Sequence, residues 1–408
     1  MSENCIVVGA SHAAAQLVTT LRESEWEGDI LVIGDEHHAP YHRPPLSKAY
    51  LAGEKKIEDI LIRPGEVYRN MDVAFRLDTH VDAIDRDNHR LVLDNGEFVP
   101  YDKLALTTGS RVRRMNNMPG ITLSGIYYLR DTADVDLIRA DLRPGCEVVI
   151  IGGGYIGLEA AAVLRKLGMN VTVLEMMDRV LQRVTAPQMS RFFTRVHEEE
   201  GVHILCGTGV TGFEGESRVE HVVCSDGQRL SAHIVIVGIG IVPNVELAQK
   251  AGLEVDNGIV VDGHARTADE DIYAAGDCTS HFNRHYDRRV RLECVQNATD
   301  QARVAALNLC GRETEYDALP WFWSDQYDLK LQIAGLSQGY DDVVVRGDVD
   351  RGRSCSAVYL RQGEVICVDA VNRPAEFMAG KRLIAARARP ARDRLEDESA
   401  PLRDLIPK

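Results

Sequence analysis

What this 408-residue sequence lacks excludes several classes of protein. No apolar run approaches the roughly 20 residues of a membrane-spanning helix, so we expect no membrane protein. The nine cysteines are scattered and include no C-x-x-C pair, which predicts reduced thiols and neither a disulfide framework nor a metal site. The sequence enters a strand at Ile6 without a charged-then-apolar leader. We therefore expect no secretory signal and a cytoplasmic location.

Positive charge is also in short supply. The 47 lysines and arginines are outnumbered by 62 aspartates and glutamates, which leaves a net charge of −15. This balance argues against a nucleic-acid partner. It also weakens attraction to an acidic protein, unless basic residues cluster locally. The length exceeds that of one ordinary hydrophobic core and predicts two or three domains.

The clearest pattern is a strand, a glycine turn, a helix and a second strand in succession. The run Glu147–Ile151 predicts a buried parallel strand. Gly152, Gly154 and Gly157 follow at G-x-G-x-x-G spacing, which suits a tight turn, the approach of a pyrophosphate and close helix packing. Glu175 ends the second strand, where an acid accepts from the ribose hydroxyls of NAD and repels the 2′-phosphate of NADP. The pattern predicts dinucleotide binding.

A second, weaker unit of the same kind opens the chain. After the strand Ile6–Val8, Gly9 stands at the first glycine position, Ser11 at the second and Ala14 at the third. Alanine is normal at the third position, whereas the side chain of Ser11 crowds the approach of a pyrophosphate. The next strand is followed by Asp35, again an acid at the strand end. Two such units predict two nucleotides, and the usual pair is FAD first and NAD(P) second.

Three further segments carry candidate residues. Tyr41–Lys48 has two prolines, after which Leu46–Leu51 predicts the start of a helix, with Lys48 either a cation near a flavin or a solvated surface group. Asp277 follows a short strand and suits the ribityl hydroxyls of a flavin or a helix N-cap. The segment 321–326 carries two of the three tryptophans and by default indicates a core aromatic cluster.

With these motifs in view, the sequence resembles the bacterial FAD-dependent ferredoxin reductases of oxygenase systems. The segments that carry the resemblance run from end to end: RPPLSKAYL, VIGGGYIGLE, RVTAP, DNGIVV, AGDC, PWFWSDQY, VNRP and DESAPL. The resemblance implies an α/β protein with two Rossmann-like dinucleotide-binding domains, glutathione-reductase-like in arrangement, plus a C-terminal α+β domain. We expect a discontinuous FAD-binding domain over 1–110 and 239–318, an NAD-binding domain over 111–238 and the terminal domain over 319–408.

The resemblance also implies the residues that contact each cofactor. The expected FAD contacts are Ala13, Asp35, Lys48, Val81, Arg130, Asp277 and Val295, with Trp323 beside the flavin ring. The first glycine turn adds Gly9, Ser11 and Ala14. For NAD they are Gly152, Gly154, Tyr155, Ile156, Gly157, Glu159 and Glu175. In the family the equivalents of Lys48 and Glu159 pair beside the flavin, and these two are the expected catalytic residues. Their role is positioning, with Lys48 stabilising negative charge on the reduced flavin.

The expected partner is an acidic two-iron two-sulfur ferredoxin that takes one electron at a time. Family docking positions fall on Arg303 and Arg403, which would form a local basic patch. Arg288, Arg289 and Arg291 lie in one short stretch and are better explained as a solvated surface. We expect a monomer or weak dimer, although the sequence, which has no coiled-coil heptads or obvious interface stripe, does not itself fix the oligomeric state.

Other activities use the same two-nucleotide architecture. A disulfide reductase, such as a coenzyme A disulfide reductase, needs a redox cysteine near the flavin. Cys278 has no partner thiol nearby in sequence and is better explained as an inert thiol. An NADH oxidase would reduce oxygen directly. A redox-sensing flavoprotein related to apoptosis-inducing proteins would carry a targeting segment and terminal-domain insertions, and the sequence has neither.

Overall fold

The structure, a computed structural model that describes residues 3–407, divides into two units, each drawn from separate stretches of the chain. The first unit consists of residues 3–42, 57–111 and 241–320. The second unit consists of residues 43–56, 112–240 and 321–407. The division into three domains made from the sequence stays a prediction.

A parallel sheet of five strands forms the centre of the first unit. Its strands, in spatial order, are Ile272–Ala274, Lys103–Leu106, Cys5–Val8, Ile30–Ile33 and Val73–Arg76. Cys5–Val8 is buried at every position, as expected of a central parallel strand with both faces covered. One face packs against the helices His12–Glu23 and Val295–Leu309, whose many alanines allow close packing.

The first unit also contains smaller elements around this sheet. One small antiparallel sheet consists of Val81–Asp85, Arg90–Leu93 and Phe98–Pro100. A second small sheet, which is mixed, consists of Ile259–Val260, Thr279–Asn283 and Arg288–Val290. Short helices span Ile57–Asp59, Gly65–Asn70 and Glu246–Lys250. The strands Ser110–Val112 and Ile241–Pro243 lie where the chain passes between units.

The second unit has its own five-stranded parallel sheet. Its strands, in spatial order, are His203–Cys206, Asn170–Glu175, Glu147–Ile151, Ile234–Val237 and Ile126–Tyr128. The accompanying helices are Thr132–Asp141, Tyr155–Lys166 and Pro187–Glu199, and the small sheet Val210–Glu214, His221–Cys224 and Arg229–Ser231 lies beside them. The strand–turn–helix–strand order predicted for residues 147–175 is therefore present.

An antiparallel sheet and short helices complete the second unit. The sheet order is Trp321–Gln326, Leu329–Gly335, Glu364–Val371, Cys355–Arg361 and Asp342–Arg346. The helices are Pro374–Ala385, Arg392–Glu396 and the 3-10 turn Leu402–Leu405. The predicted α/β class, with two Rossmann-like sheets and a terminal α+β domain, is confirmed.

The helix predicted to start at Leu46–Leu51 is not formed as such. A 3-10 helix spans Pro44–Ser47 and ends because Lys48 has φ −132° and ψ −115°, outside the helical region. The chain continues in turns. This break matters for the site, because it fixes where Lys48 leaves the backbone.

A buried acid anchors the terminal sheet to the segment before helix Pro187–Glu199. Asp369, which is 1% exposed, accepts from the Tyr359 hydroxyl at 2.5 Å and from Thr185 Oγ1 at 2.7 Å. The Tyr359 hydroxyl in turn accepts from the backbone N–H of Ala186 at 3.0 Å. Burial raises the pKa of Asp369 to about 6, and the hydroxyl donors only partly oppose that effect.

This anchor predicts a distinctive pH dependence. An unfolded aspartate has a pKa of about 3.9, so the folded state binds the Asp369 proton more tightly than the unfolded chain does. The stability that this proton contributes is present below pH 4 and is lost as pH rises through about 6. We expect the urea midpoint to fall more steeply over that window in the wild type than in Asp369→Asn. Parallel pH curves for the two proteins would contradict the assignment.

Candidate functional site

The glycine loop of the second unit has the shape of a dinucleotide cradle. Gly152 has φ +115°, and a side-chain carbon there would lie 2.3 Å from the Gly238 carbonyl oxygen. A side-chain carbon at Gly157 would lie 2.1 Å from the Gly152 carbonyl oxygen. At Gly154, by contrast, no atom lies within 4 Å of that position, so open space faces the start of helix Tyr155–Lys166. The residues fit a pyrophosphate at this helix N-terminus.

Glu175 is held at the edge of this cradle by the backbone. Its Oε2 accepts from the Gly153 N–H at 2.7 Å, and its Oε1 accepts from the Met177 N–H at 2.8 Å. The residue is partly exposed. An anchored carboxylate in this place suits the ribose hydroxyls of NAD and opposes a 2′-phosphate.

Gly154 faces open space and Gly157 faces backbone, so alanine at these two positions is expected to affect coenzyme binding and stability differently. Gly154→Ala is expected to leave the unfolding midpoint unchanged and to weaken NADH binding about tenfold or more, because its methyl group occupies the space for the pyrophosphate. Gly157→Ala is expected to destabilise the fold, since the backbone must move away from the new side chain. NADH titration and urea unfolding of both variants check this. Equal behaviour of the two variants would refute the assigned geometry.

Lys48, which is partly exposed, forms an ion pair with the buried Glu159 within the second unit. Lys48 Nζ lies 2.5 Å from Glu159 Oε2, and the two side chains are 20% and 1% exposed. Ser47 Oγ donates to the same oxygen at 2.5 Å, and Ser324 Oγ donates to Oε1 at 2.6 Å. Burial of a carboxylate is costly unless its oxygens are paired, and here a cation and two hydroxyls pair them.

The position of this pair follows from the fold. Glu159 lies on the helix that the glycine loop opens, and that helix contacts both the 3-10 helix Pro44–Ser47 and the strand Trp321–Gln326. Three separate segments of the chain therefore meet at one carboxylate. Sequence reasoning missed Ser47 and Ser324. The sequence does contain a pattern that could have indicated Ser324. Ser324 and Gln326 are polar residues at alternate positions of an aromatic strand, so they share one face of it, and both are buried.

The first unit carries a second glycine turn of similar form. Gly9 has φ +105°, and a side-chain carbon there would lie 2.3 Å from the Thr107 carbonyl oxygen. Gly276 has φ +92°, and a side-chain carbon there would lie 3.5 Å from the Cβ of Ala13. Asp277 Oδ2 accepts from Ser110 Oγ at 2.9 Å. The turn and the short side chains around it fit the backbone approach of a second dinucleotide.

The predicted residues are distributed between the two units. Those in the first unit are Gly9, Ser11, Ala13, Ala14, Asp35, Val81, Asp277, Val295 and Arg303. Those in the second unit are Lys48, Arg130, Gly152, Gly154, Tyr155, Ile156, Gly157, Glu159, Glu175, Trp323 and Arg403. Asp35 is exposed, and its Oδ1 lies 3.0 Å from Nδ1 of His80. The ring centroids of Trp323 and Trp321 are 5.4 Å apart. Arg303 and Arg403 are both exposed.

Three cysteines of the first unit, Cys5, Cys278 and Cys294, lack the environment of a redox thiol. Burial raises the pKa of Cys278, and it raises the pKa of Cys5 and of Cys294 to about 12. A reactive cysteine requires a lowered pKa, because the thiolate is the nucleophile. All nine cysteines are free. These thiols are therefore poor candidates for disulfide reduction.

The part of the chain that the structure describes, residues 3–407, contains neither a candidate membrane-spanning helix nor a candidate metal cluster. Within that range, no helix combines the length and the apolarity that a membrane crossing requires. Over the same range, no three histidine, cysteine, aspartate or glutamate side chains are grouped so that they could bind a metal ion.

Comparisons with known proteins agree with this geometry. Residues 3–302 match the family model described as pyridine nucleotide-disulphide oxidoreductase, and residues 321–406 match the model described as reductase C-terminal. Putidaredoxin reductase of Pseudomonas putida is 44% identical over 99% of this chain and 97% of its own. The 5,5'-dehydrodivanillate O-demethylase ferredoxin reductase subunit of a Sphingobium species is 45% identical over 98% of each chain. The crystal structure of the covalent putidaredoxin reductase–putidaredoxin complex matches with a TM-score of 0.96, at 44% identity and over 99% of this chain and 98% of that one.

Proposed function

The chain belongs to the pyridine nucleotide-disulphide oxidoreductase family and carries its reductase C-terminal domain, and on that premise we propose that it reduces an acidic two-iron two-sulfur ferredoxin with NADH. It is an oxidoreductase of the ferredoxin–NAD(+) reductase group, with FAD and NAD as its cofactors. The ferredoxin in turn would supply electrons to an oxygenase.

One observation carries the proposal: the glycine loop and the carboxylate that holds a partly buried cation belong to a single helix and its N-terminus. Tyr155–Lys166 begins at the glycine loop, and its second turn carries Glu159, which holds Lys48. Positioning of this kind is what the protein contributes, whereas bound FAD supplies the chemistry by accepting a hydride and releasing electrons singly.

Each remaining residue has a binding task. The loop from Gly152 to Gly157 would bind the NAD pyrophosphate, and Glu175 the ribose hydroxyls. Lys48 would place positive charge where electron density accumulates, and Glu159 would hold it there. The FAD contacts would come from Ala13, Asp35, Val81, Arg130, Asp277 and Val295, with Ser11 and Trp323 beside them. No residue is required as a nucleophile or as a general acid.

The finer features of the partner and location are part of the proposal. Arg303 and Arg403 would hold the ferredoxin, since both are exposed cations on a chain of net charge −15. The nine free cysteines are consistent with a reducing cytoplasm. We further propose a monomer or weak dimer. An oxidase, a disulfide reductase or a redox sensor of the same fold is not favoured by the relatives.

Anaerobic stopped-flow spectroscopy tests the proposed activity. The holoenzyme is mixed with NADH or NADPH and then with an oxidised two-iron ferredoxin. Fast bleaching of the flavin by NADH, followed by stepwise ferredoxin reduction, is the expected result. Fast bleaching without transfer to a panel of two-iron ferredoxins would overturn the proposed partner.

The docking arginines make a separate prediction. The double variant Arg303→Glu, Arg403→Glu is expected to lower the association rate with ferredoxin about tenfold at low salt, since like charges oppose the encounter. The deficit should shrink as salt rises, because screening weakens the field. The double variant Arg229→Glu, Arg361→Glu changes the net charge by the same amount at two other exposed arginines and serves as the control. A loss of equal size in the control would show that net charge alone is responsible.

A further inference from the structure

A chain of buried polar side chains leads away from Glu159. Ser324 Oγ, which donates to Glu159 Oε1, accepts from Gln326 Nε2 at 3.1 Å. Gln326 Oε1 lies 2.8 Å from Nε2 of His197, and Nδ1 of His197 lies 3.2 Å from the Tyr327 hydroxyl. Ser324, Gln326 and His197 are each at most 1% exposed.

The carboxylate at one end fixes the direction of every hydrogen bond. A carboxylate only accepts, so the single proton of Ser324 is committed to Glu159 and its oxygen accepts from the Gln326 amide. The carbonyl oxygen of Gln326 therefore faces His197, whose Nε2 must carry the proton. Burial lowers the pKa of His197 to about 4, so the imidazole is neutral and its Nδ1 accepts from Tyr327. All donors point toward Glu159.

We propose that Gln326 and His197 are positioning residues that hold Ser324, and through it the Glu159–Lys48 pair, in one fixed arrangement. Aligned hydrogen bonds polarise and strengthen one another in a buried site. The inference rests on the proposed function only in assigning a catalytic consequence to this arrangement. The hydrogen-bonded residues lie on helix Pro187–Glu199 and on the first strand of the terminal sheet. These two elements therefore help to fix the position of Lys48, although the glycine loop belongs to neither.

Nitrogen NMR of the holoenzyme labelled with ¹⁵N-histidine tests the direction of the chain without any turnover. The signals of His197, one of 13 histidines, are those missing from His197→Gln. The expected spectrum has a protonated Nε2 and an unprotonated Nδ1 between about pH 6 and 8. In Ser324→Ala the link to the carboxylate that sets the direction is gone, and the His197 signals should shift or split. A protonated Nδ1 in the wild type, or His197 signals unchanged in Ser324→Ala, would overturn the proposal.

Flavin reduction by NADH tests the consequence. His197→Phe keeps an aromatic ring and loses both nitrogens. It is expected to lower the reduction rate at saturating NADH about tenfold, as loss of one hydrogen bond to a charged network does, with little change in the NADH dissociation constant. His197→Gln retains an amide donor and should restore the rate to within about twofold. Val196→Ala, a buried neighbour outside the chain of hydrogen bonds, is the matched control.

The variants separate positioning from a general loss of stability. A rate in His197→Phe equal to that of the wild type or of Val196→Ala would refute the proposal, as would a His197→Gln variant no faster than His197→Phe. If His197→Phe does not fold, the NMR comparison decides alone. Because neither experiment includes ferredoxin, a wrong assignment of the electron acceptor would leave both results intact and is distinguishable from failure here.

Discussion

Replacing Lys48 by methionine is expected to lower the free energy of unfolding by about 3–5 kcal/mol, because it leaves Glu159 buried without its cation. The Glu159 side chain is 1% exposed, so water cannot substitute for the lost ammonium group. Two serine hydroxyls remain as donors but carry no charge. The same variant should slow flavin reduction by NADH strongly, since the positive charge beside the cradle is gone. Urea unfolding and anaerobic stopped-flow measurements check the two effects.

The control for Lys48→Met is a second lysine of the same unit. Lys166 lies 3.8 Å from Glu54, with side chains that are 78% and 60% exposed. An exposed pair of this kind contributes about 0–1 kcal/mol, so Lys166→Met should change neither stability nor rate appreciably. Should the two lysine variants unfold at the same urea midpoint, the Lys48–Glu159 pair would not be the buried interaction described above.

Replacing Glu175 by glutamine is expected to reduce the preference for NADH over NADPH by about 100-fold, because a repulsive charge disappears from the proposed ribose site. Glutamine has one acceptor oxygen in place of two. It can still accept from the Gly153 or the Met177 N–H, and the fold of the loop should persist. The preference is measured as the ratio of second-order rate constants for flavin bleaching by the two coenzymes.

Asp178→Asn is the matched control for Glu175→Gln. Asp178 is an exposed acid three residues further along the chain, so its removal changes the net charge equally. The control should leave the coenzyme ratio near that of the wild type, because exposed charges are screened. An unchanged ratio in Glu175→Gln would remove Glu175 from the specificity site.

Local sequence patterns were sufficient to predict the central elements. The strand predicted at Glu147–Ile151 has those bounds, and Glu175 ends the next strand as expected. The glycines at 152 and 157 proved to be positions where a side chain would collide with backbone. The strand bounds and the position of the terminal acid could be predicted because residues 147–175 form one continuous segment of apolar runs and regularly spaced glycines. The contact that makes Gly152 intolerant of a side chain is with Gly238, far along the chain, and follows only from the fold.

The surroundings of Glu159 could not be predicted in the same way. Ser47 and Ser324 are separated from Glu159 by 112 and 165 positions, and no local periodicity relates them. The break at Lys48 was missed because proline is compatible both with the first turn of a helix and with a short turn. His197 looked like any residue of an amphipathic helix, and only tertiary packing gives it a polar partner.

The wide spacing of the groups around Glu159 has a consequence for biosynthesis. Ser47 and Lys48 leave the ribosome early, Glu159 follows, and Ser324 emerges only near the end of translation. A nascent chain stopped before Ser324 would contain the glycine loop and its helix but one unsatisfied carboxylate oxygen. Domains generally fold as their residues emerge. In this protein the hydrogen bonding of Glu159 is therefore completed only after the first strand of the terminal sheet has been synthesised.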